Sequence, residues 1–335
     1  MTAVPTARER VVRRLPAAGL TLTFVLLAFV PLTLQTYQIG EWTFAMAFAI
    51  AAVGLNTMIA DGGLVSLGHN AFFAFGAYTT AWLASHNVSY WQCLFVVAGM
   101  SLVLGWLIGP PIVRLGHLNF ALLTVGIGFV APTIAIRLDS VTGGANGEAL
   151  PAFVAPGWTG LTSVAWLYYM GLLVLLVCLL AIIGLRRSQA GRALRAQRDN
   201  SPAAEAFGVQ VGRLRCGVFA LSVMMAGIGG WLWGIAAGFV APDSFDSTIS
   251  IALLAGVVVG GLGLPATAIF AGIFAQFLPS LSSNISPAFG GLVQGAIIVV
   301  VLLVARRGVL GTVRQFIVGL GDRVSHGSGD DAAAS

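Results

Sequence analysis

From Gly62 to Val113 no residue carries a formal charge, and from Ser247 to Ala305 none does either. A water-exposed fold does not tolerate such runs, because they leave it too few groups to hydrate its surface. A helix crosses the hydrocarbon of a bilayer with roughly 20 apolar residues. Each run therefore holds more than one crossing, and its Gly, Pro and polar clusters mark the turns. Hydrophobic residues make up 58% of the chain and charged residues only 9%, so the whole chain belongs to the membrane class. It reads as an all-α, polytopic integral membrane protein. About ten transmembrane helices are expected, near residues 18–36, 42–60, 70–86, 91–112, 118–136, 162–184, 215–240, 248–263, 267–282 and 289–305.

The basic residues orient these spans. All 17 are arginines, and Arg-rich short loops stay cytoplasmic. Arg8, Arg10, Arg13 and Arg14 precede the first span. Arg114 follows the fourth, seven arginines from Arg186 to Arg215 lie between the sixth and seventh, and Arg306, Arg307, Arg314 and Arg323 follow the tenth. Ten crossings leave only Arg137 outside and put both termini in the cytoplasm. The expected organisation is a cytoplasmic N-terminal segment (1–17), a transmembrane domain (18–324) with a cytoplasmic loop at 185–214, and a disordered cytoplasmic tail (325–335) rich in Gly, Ser, Asp and Ala. Gly62-Gly63-Leu64 and Phe72 recur as Gly260-Gly261-Leu262 and Phe270. That repeat fits two inverted five-helix halves, a transporter plan with the path between the halves.

Three polar segments interrupt the apolar chain. In "ADGGLVSLGHNAFFAFGAYTT", Asp61, Ser66, His69, Asn70 and Tyr78 sit among Gly62, Gly63 and Gly68. This composition reads as a broken or re-entrant segment beside a pathway, since irregular backbone at membrane depth must be buried in protein or line a wet cavity. His69 has no second His at ligand spacing, so it reads as a hydrogen-bonded structural residue rather than a metal ligand. The outer loop "RLDSVTGGANGEALP" turns tightly through Thr142, Gly143, Gly144, Asn146 and Gly147 and is expected to expose backbone N–H groups. The longest polar segment, Arg186 to Arg215, reads as two short helices, 191–199 and 202–207. Ser201 is expected to cap the second helix, with Pro202 at its first position and Gly208 at its end. Ala203, Ala204, Ala206 and Phe207 give it a small apolar face suited to a socket on a partner protein. Gly230, Gly234 and Gly238 form a GxxxG row for close helix packing.

Function classes narrow accordingly. Without lysine there is no P-loop, so any ATP is hydrolysed on another chain and the chain itself is expected to hold no cofactor. Cys93, Cys178 and Cys216 have no CxxC spacing, and no metal site is expected. Nucleic acid is excluded as a partner, and membrane lipid is implied. An intramembrane enzyme would have to use Asp243 and Asp246 with His69 or His117, but the two Asp residues fall in a short outer turn. A proton-coupled secondary transporter would need mid-span acids, and Glu41 and Asp61 sit at expected span ends, which argues against proton coupling but not against sodium coupling through backbone oxygens.

The segments taken together resemble the branched-chain amino-acid permease family, the LivM-type membrane subunits of bacterial ABC importers. The resemblance is carried by "GLNTMIADGGLVSLGHNAFFAFGAYTTAWL" from Gly54, "LNFALLTVGIGF" followed by "TGGANG", "AGRALRAQRDNSPAAEAFGV" from Ala190 and "FVAPDSFDSTISIALLAGVVVGGLG" from Phe239. It implies a transport subunit of the inner (plasma) membrane that does no covalent chemistry. Its implied partners are a second permease of the same family, two ATP-binding cassette subunits and an extracytoplasmic substrate-binding protein. The resemblance implies a pathway beside Asn56, Asp61, Gly62, Gly63, Ser66, Gly68, His69, Asn70, Tyr78 and Thr124. ATPase coupling would fall to Glu205, Ala206, Phe207 and Gly208, flanked by Arg192, Arg195 and Arg198. Where family members often carry an acid in the fifth span, this chain runs Val130-Ala131-Pro132. Urea and short-amide permeases share much of the pattern and form the alternative substrate class.

Overall fold

In hydrocarbon, backbone N–H and C=O groups must be satisfied within the protein, and a helix does so within one segment. The computed structural model describes residues 7–113, 117–285 and 289–304, and helices dominate them. In chain order they are α1 (Ala7–Thr33), α2 (Thr36–Ala60), α3 (His69–Ser85), α4 (Tyr90–Ile112), α5 (His117–Arg137), the short α6 (Asp139–Thr142), α7 (Ser163–Arg187), α8 (Gln189–Asp199), α9 (Ser201–Ala206), α10 (Val211–Ala237), α11 (Ser247–Gly260), α12 (Ala266–Ile285) and α13 (Gly290–Val304). Each expected span overlaps one helix. Among the described residues, seven helical segments are long and apolar enough to cross a membrane: 36–60, 90–111, 118–137, 163–187, 211–237, 242–260 and 266–283. Shorter apolar stretches lie in α1 and α13. The expected tail 325–335, the last four arginines and Arg114 lie outside the described residues. The segment 1–17 is helical from Ala7, so position 18 marks a change of polarity rather than the start of the helix.

Local chemistry sets where helices begin. Thr162 Oγ1 accepts from the Ala165 N–H at the start of α7, and Ser188 Oγ accepts from Gly191 N–H at the start of α8. Asp246 accepts from Thr248 N–H at the start of α11. Each satisfies an orphan donor of a first turn. The cap of α9 is Asn200, whose Oδ1 accepts from Ala203 N–H at 3.0 Å, and not Ser201. Adjacent Asn and Ser are nearly equal caps, and Ser201 is drawn away to other partners described below.

The core is built around α10, which packs on α2, α3 and α4, while α2 also packs on α7 and α12. Trp231 of α10 is fully buried, and its indole N–H donates to the Tyr90 carbonyl at 2.9 Å. Tyr168 of α7 donates to the Leu27 carbonyl at 2.7 Å, tying α1 to the bundle. A Cβ on Gly230 would overlap the Phe73 carbonyl, so α10 and α3 touch backbone to backbone, as the GxxxG row anticipates. Gly238 does not share that role. It lies in left-handed conformation (φ 67°) and ends α10.

The all-α plan has one small exception. Strand β1 (Glu148–Ala149) pairs antiparallel with β2 (Phe239–Val240), and Leu150 N–H donates to the Gly238 carbonyl. This ties the loop after α5 to the end of α10. The glycine repeat also has a specific place. Gly62 follows α2, and Gly260 ends α11. Asn56 Oδ1 accepts from Gly263 N–H at 3.0 Å, and its Nδ2 donates to the Leu264 carbonyl at 3.0 Å. The two turns therefore meet at one end of the bundle. In the expected numbering they follow spans two and eight, which run in the same direction, so this repeat does not itself relate two inverted halves.

Candidate functional site

Between α2 and α3 the chain leaves helical geometry at residues 63–68. This is the break anticipated from its glycines. Its backbone is satisfied by protein groups: Leu64 N–H donates to the Met58 carbonyl, and Leu67 N–H donates to Thr124 Oγ1 at 3.1 Å. A Cβ on Gly68 would overlap the Thr124 carbonyl, so the segment lies directly against α5.

The polar side chains of the break are sealed inside. Ser66, His69, Asn70 and Thr124 are each 0% exposed. The two ring nitrogens of His69 lie 3.2 Å from Ser66 Oγ and 2.9 Å from Ser222 Oγ, which gives it the structural role expected of it. Asn70 makes four hydrogen bonds. Its N–H donates to Ser250 Oγ at 2.8 Å, and the Ser250 hydroxyl donates to its Oδ1 at 2.9 Å. Its Nδ2 donates to the carbonyls of Gly128 and Phe245, both at 3.0 Å. One side chain thus joins α3, α5, α11 and the turn before α11.

Of the ten candidate pathway residues, Tyr78 lines a cavity. This cavity, of about 640 Å³, lies between α3, α4 and α5 against the turn at 242–245. Its wall is almost wholly apolar, with Phe75, Trp82, Met100, Leu104, Ile127, Val130 and Phe245 among its residues. The Tyr78 hydroxyl is buried with no hydrogen-bond partner among the described residues. A second cavity, of about 420 Å³, is lined by Glu41, Phe44, Trp233, Asp243, Asp246, Gln276 and Gln294. Glu41 accepts from Gln276 Nε2 at 2.5 Å. The sequence pairs Asp243 with Asp246 but does not join Glu41 to them. The signal that unites them is that Gln276 and Glu41 interrupt otherwise apolar helices.

The remaining pathway candidates gather where the two glycine turns meet. Asp61 is buried and pairs with Arg186 Nε at 2.6 Å and Arg195 Nη1 at 3.8 Å. Arg186 Nη1 donates to the Gly263 carbonyl at 2.5 Å. Gln197 Nε2 donates to the Gly62 carbonyl at 3.1 Å, and Arg198 donates to the Ala60 carbonyl. Arg215 holds Gln197 Oε1 at 2.9 Å and Ser201 Oγ at 2.8 Å. A carboxylate this buried is tolerated because it is both paired and hydrogen-bonded.

On the other face of this loop the chain makes few contacts with itself. Ala204 is buried, whereas Ala203, Glu205 and Ala206 are exposed and Phe207 is 89% exposed. The apolar face of α9 therefore divides: Ala204 packs inward, and Phe207 projects outward. Gly208 closes the helix at φ 81°, a left-handed end that suits Gly. Arg192 donates to the Arg187 carbonyl at 3.2 Å.

The loop at 138–150, expected to expose its N–H groups, does not do so. Its N–H groups turn inward. Gly143 N–H donates to Asp139, Asn146 N–H to Gly143 and Gly147 N–H to Gly144, while Gly144 N–H reaches Thr142 Oγ1 at 3.3 Å. Thr142 is buried and donates to the Ala135 carbonyl at 2.6 Å. The loop is a self-closed knot that leaves the side chain of Asn146 exposed.

A helical membrane bundle with a sealed break, an apolar cavity and a bare helical tip defines a membrane transport component. The chain belongs to the branched-chain amino acid transport system / permease component family, whose model matches residues 40–302. It is 30% identical over 292 residues to the high-affinity branched-chain amino acid transport system permease protein LivM of Escherichia coli (strain K12), covering 80% of this chain and 68% of that one. It is 25% identical over 293 residues to the corresponding LivH protein of the same organism, covering 80% and 92%. A shorter match, 28% over 141 residues, joins it to the autoinducer 2 import system permease protein LsrC of Photorhabdus laumondii. It covers 41% of this chain and 40% of that one. No solved structure matches. The chain is a multi-pass membrane protein and a transporter permease.

Proposed function

We propose that the chain is the permease subunit of an ABC importer for branched-chain or related hydrophobic and neutral amino acids. It works in the inner membrane, with both termini cytoplasmic. Its partners are a second permease of the family, two ATP-binding cassette subunits that hold the ATP, and an extracytoplasmic binding protein. The observation that carries this reading is the α8–α9 element. It is tied down on one face and bare on the other, with Phe207 and Glu205 presented to solvent. A chain without lysine has no P-loop of its own, and a short capped helix with a projecting aromatic suits a groove on a separate ATPase. Arg192 and Arg195, exposed on α8, flank that contact. Exposed apolar side chains such as Phe95 and Leu107 on α4 and Leu122 and Phe129 on α5 suit lipid or the second permease.

The apolar cavity along α3 favours an apolar substrate side chain over urea or a short amide, because few polar groups line it. Tyr78 is the pathway candidate that faces it. Uptake by the reconstituted complex with its binding protein, screened over amino acids, urea and amides, tests the assignment. Leucine-class substrates are expected to be taken up. Transport confined to urea or amides contradicts the substrate class.

A further inference from the structure

We propose that α8 and the end of α2 move as one mechanical unit. Asp61, Arg186, Gln197 and Arg198 act as positioning residues that pass displacement of the α9 tip to the break before α3 and to the α11–α12 turn. The inference rests on the ATPase-docking reading above and specifies how the docked loop reaches the membrane bundle.

The geometry is that of a helix end capped in trans. The last turn of a helix leaves carbonyls without intrahelical donors. At the end of α2 the following backbone takes the carbonyls of Thr57, Met58 and Ile59, and α8 takes the next: Ala60 accepts from Arg198, and Gly62, just beyond the helix, accepts from Gln197. Guanidinium groups at a helix C-terminus also complement its partial negative charge. Arg186 extends the same link sideways. It holds Asp61 through Nε and the Gly263 carbonyl through Nη1, while Asn56 of α2 grips Gly263 and Leu264. Ser201, the first residue of α9, is bound to Gln197 and Arg215. A push on α9 therefore meets a continuous set of short polar contacts as far as α2 and the α11–α12 turn. Beyond Asp61 the chain is irregular until His69, and Asn70 then connects α3 to α5 and α11. This arrangement places the non-helical segment directly after the capped helix end.

A loop that merely rests on α2 and a loop fused to it respond differently to a covalent link. A Cβ built on Gly63 lies 3.9 Å from Arg198 Cβ, inside the separation of about 3.5–4.5 Å that a disulfide spans. The test uses the full complex of permease, ATPase and binding protein carrying Gly63→Cys and Arg198→Cys. Pairing is checked by peptide mass, since native Cys93, Cys178 and Cys216 are buried. The reduced double variant lacks the Arg198 contact. It is expected to keep its ATPase and its hydrolysis, but to lose about tenfold in uptake per ATP, equal to about 1.4 kcal/mol of coupling. Oxidation is expected to restore uptake per ATP to within about twofold of the parent complex, reversibly with reductant. Any strain from a side chain at Gly63 is shared by both forms and drops out of the comparison.

The proposal is overturned if the disulfide does not form, or if oxidation leaves uptake per ATP unchanged or lowers it. Asp61→Asn supplies an independent arm. Retained ATPase with reduced uptake per ATP supports the link, and unaltered coupling contradicts it. A parent complex that binds no ATPase defeats the functional assignment instead, and that result is read before either variant.

Discussion

At the residue scale, a buried polar side chain in a membrane protein is decided by its partners. The Asn70 side chain has three, and removing it orphans the carbonyls of Gly128 and Phe245 and leaves the Ser250 hydroxyl without its acceptor. Asn70→Ala is expected to destabilise the protein by about 2–4 kcal/mol, given about 0.6 kcal/mol for each membrane hydrogen bond and more for each orphaned group. Tyr78 is the opposite case, since its hydroxyl has no partner among the described residues. Tyr78→Phe should therefore be neutral or stabilising by up to about 1 kcal/mol. Thermal unfolding in detergent checks both, and equal melting losses would contradict this assignment. The residue types were legible in the sequence, whereas their pairings were not. His69 meets Ser222 across 153 positions and Asn70 meets Ser250 across 180. No local pattern encodes such separations; packing of α3 against α10 and α11 does.

At the element scale, hydropathy located the long helices because the bilayer fixes both their length and their apolarity. The α8–α9 loop was legible for a different reason: Pro202 and Gly208 are tolerated at few helix positions. The cap moved from Ser201 to Asn200 because Arg215, distant in sequence, claims the Ser hydroxyl. Nor did the sequence pattern reveal that α9 would divide its apolar face. That division gives a prediction. Phe207 is almost fully exposed, so Phe207→Ala should leave the melting temperature of the isolated permease unchanged and sharply reduce copurification of the ATPase. Glu205→Arg should act in the same sense by replacing a favourable pair with repulsion. Gly208→Val should cost about 1–2 kcal/mol locally, the penalty of a left-handed β-branched residue. Pull-down stoichiometry alongside melting curves separates these effects. Intact ATPase binding by both Phe207→Ala and Glu205→Arg would remove α9 from the interface.

At the scale of the whole molecule, charge sets orientation and the bundle sets the route. Sixteen of the 17 arginines fall on one side of the ten-span reading, all but Arg137, so reporter fusions at Ser325 and near Ala145 should give opposite signals. The same compartment for both would contradict the topology. On that topology, Asp61 and its arginines are expected at the cytoplasmic end, where the α8–α9 loop meets α2. The acidic cavity bounded by Glu41 and Asp243 lies at the other end.

The central claim is that this permease moves apolar amino acids only when a separate ATPase drives it. The most direct measurement is leucine uptake into proteoliposomes holding the permease pair, the cassette ATPases and the binding protein, with ATP supplied to the cytoplasmic face. Uptake should require ATP and every subunit, and should persist when sodium and proton gradients are dissipated. Accumulation by the permease alone, driven by an ion gradient and indifferent to ATP, would contradict it.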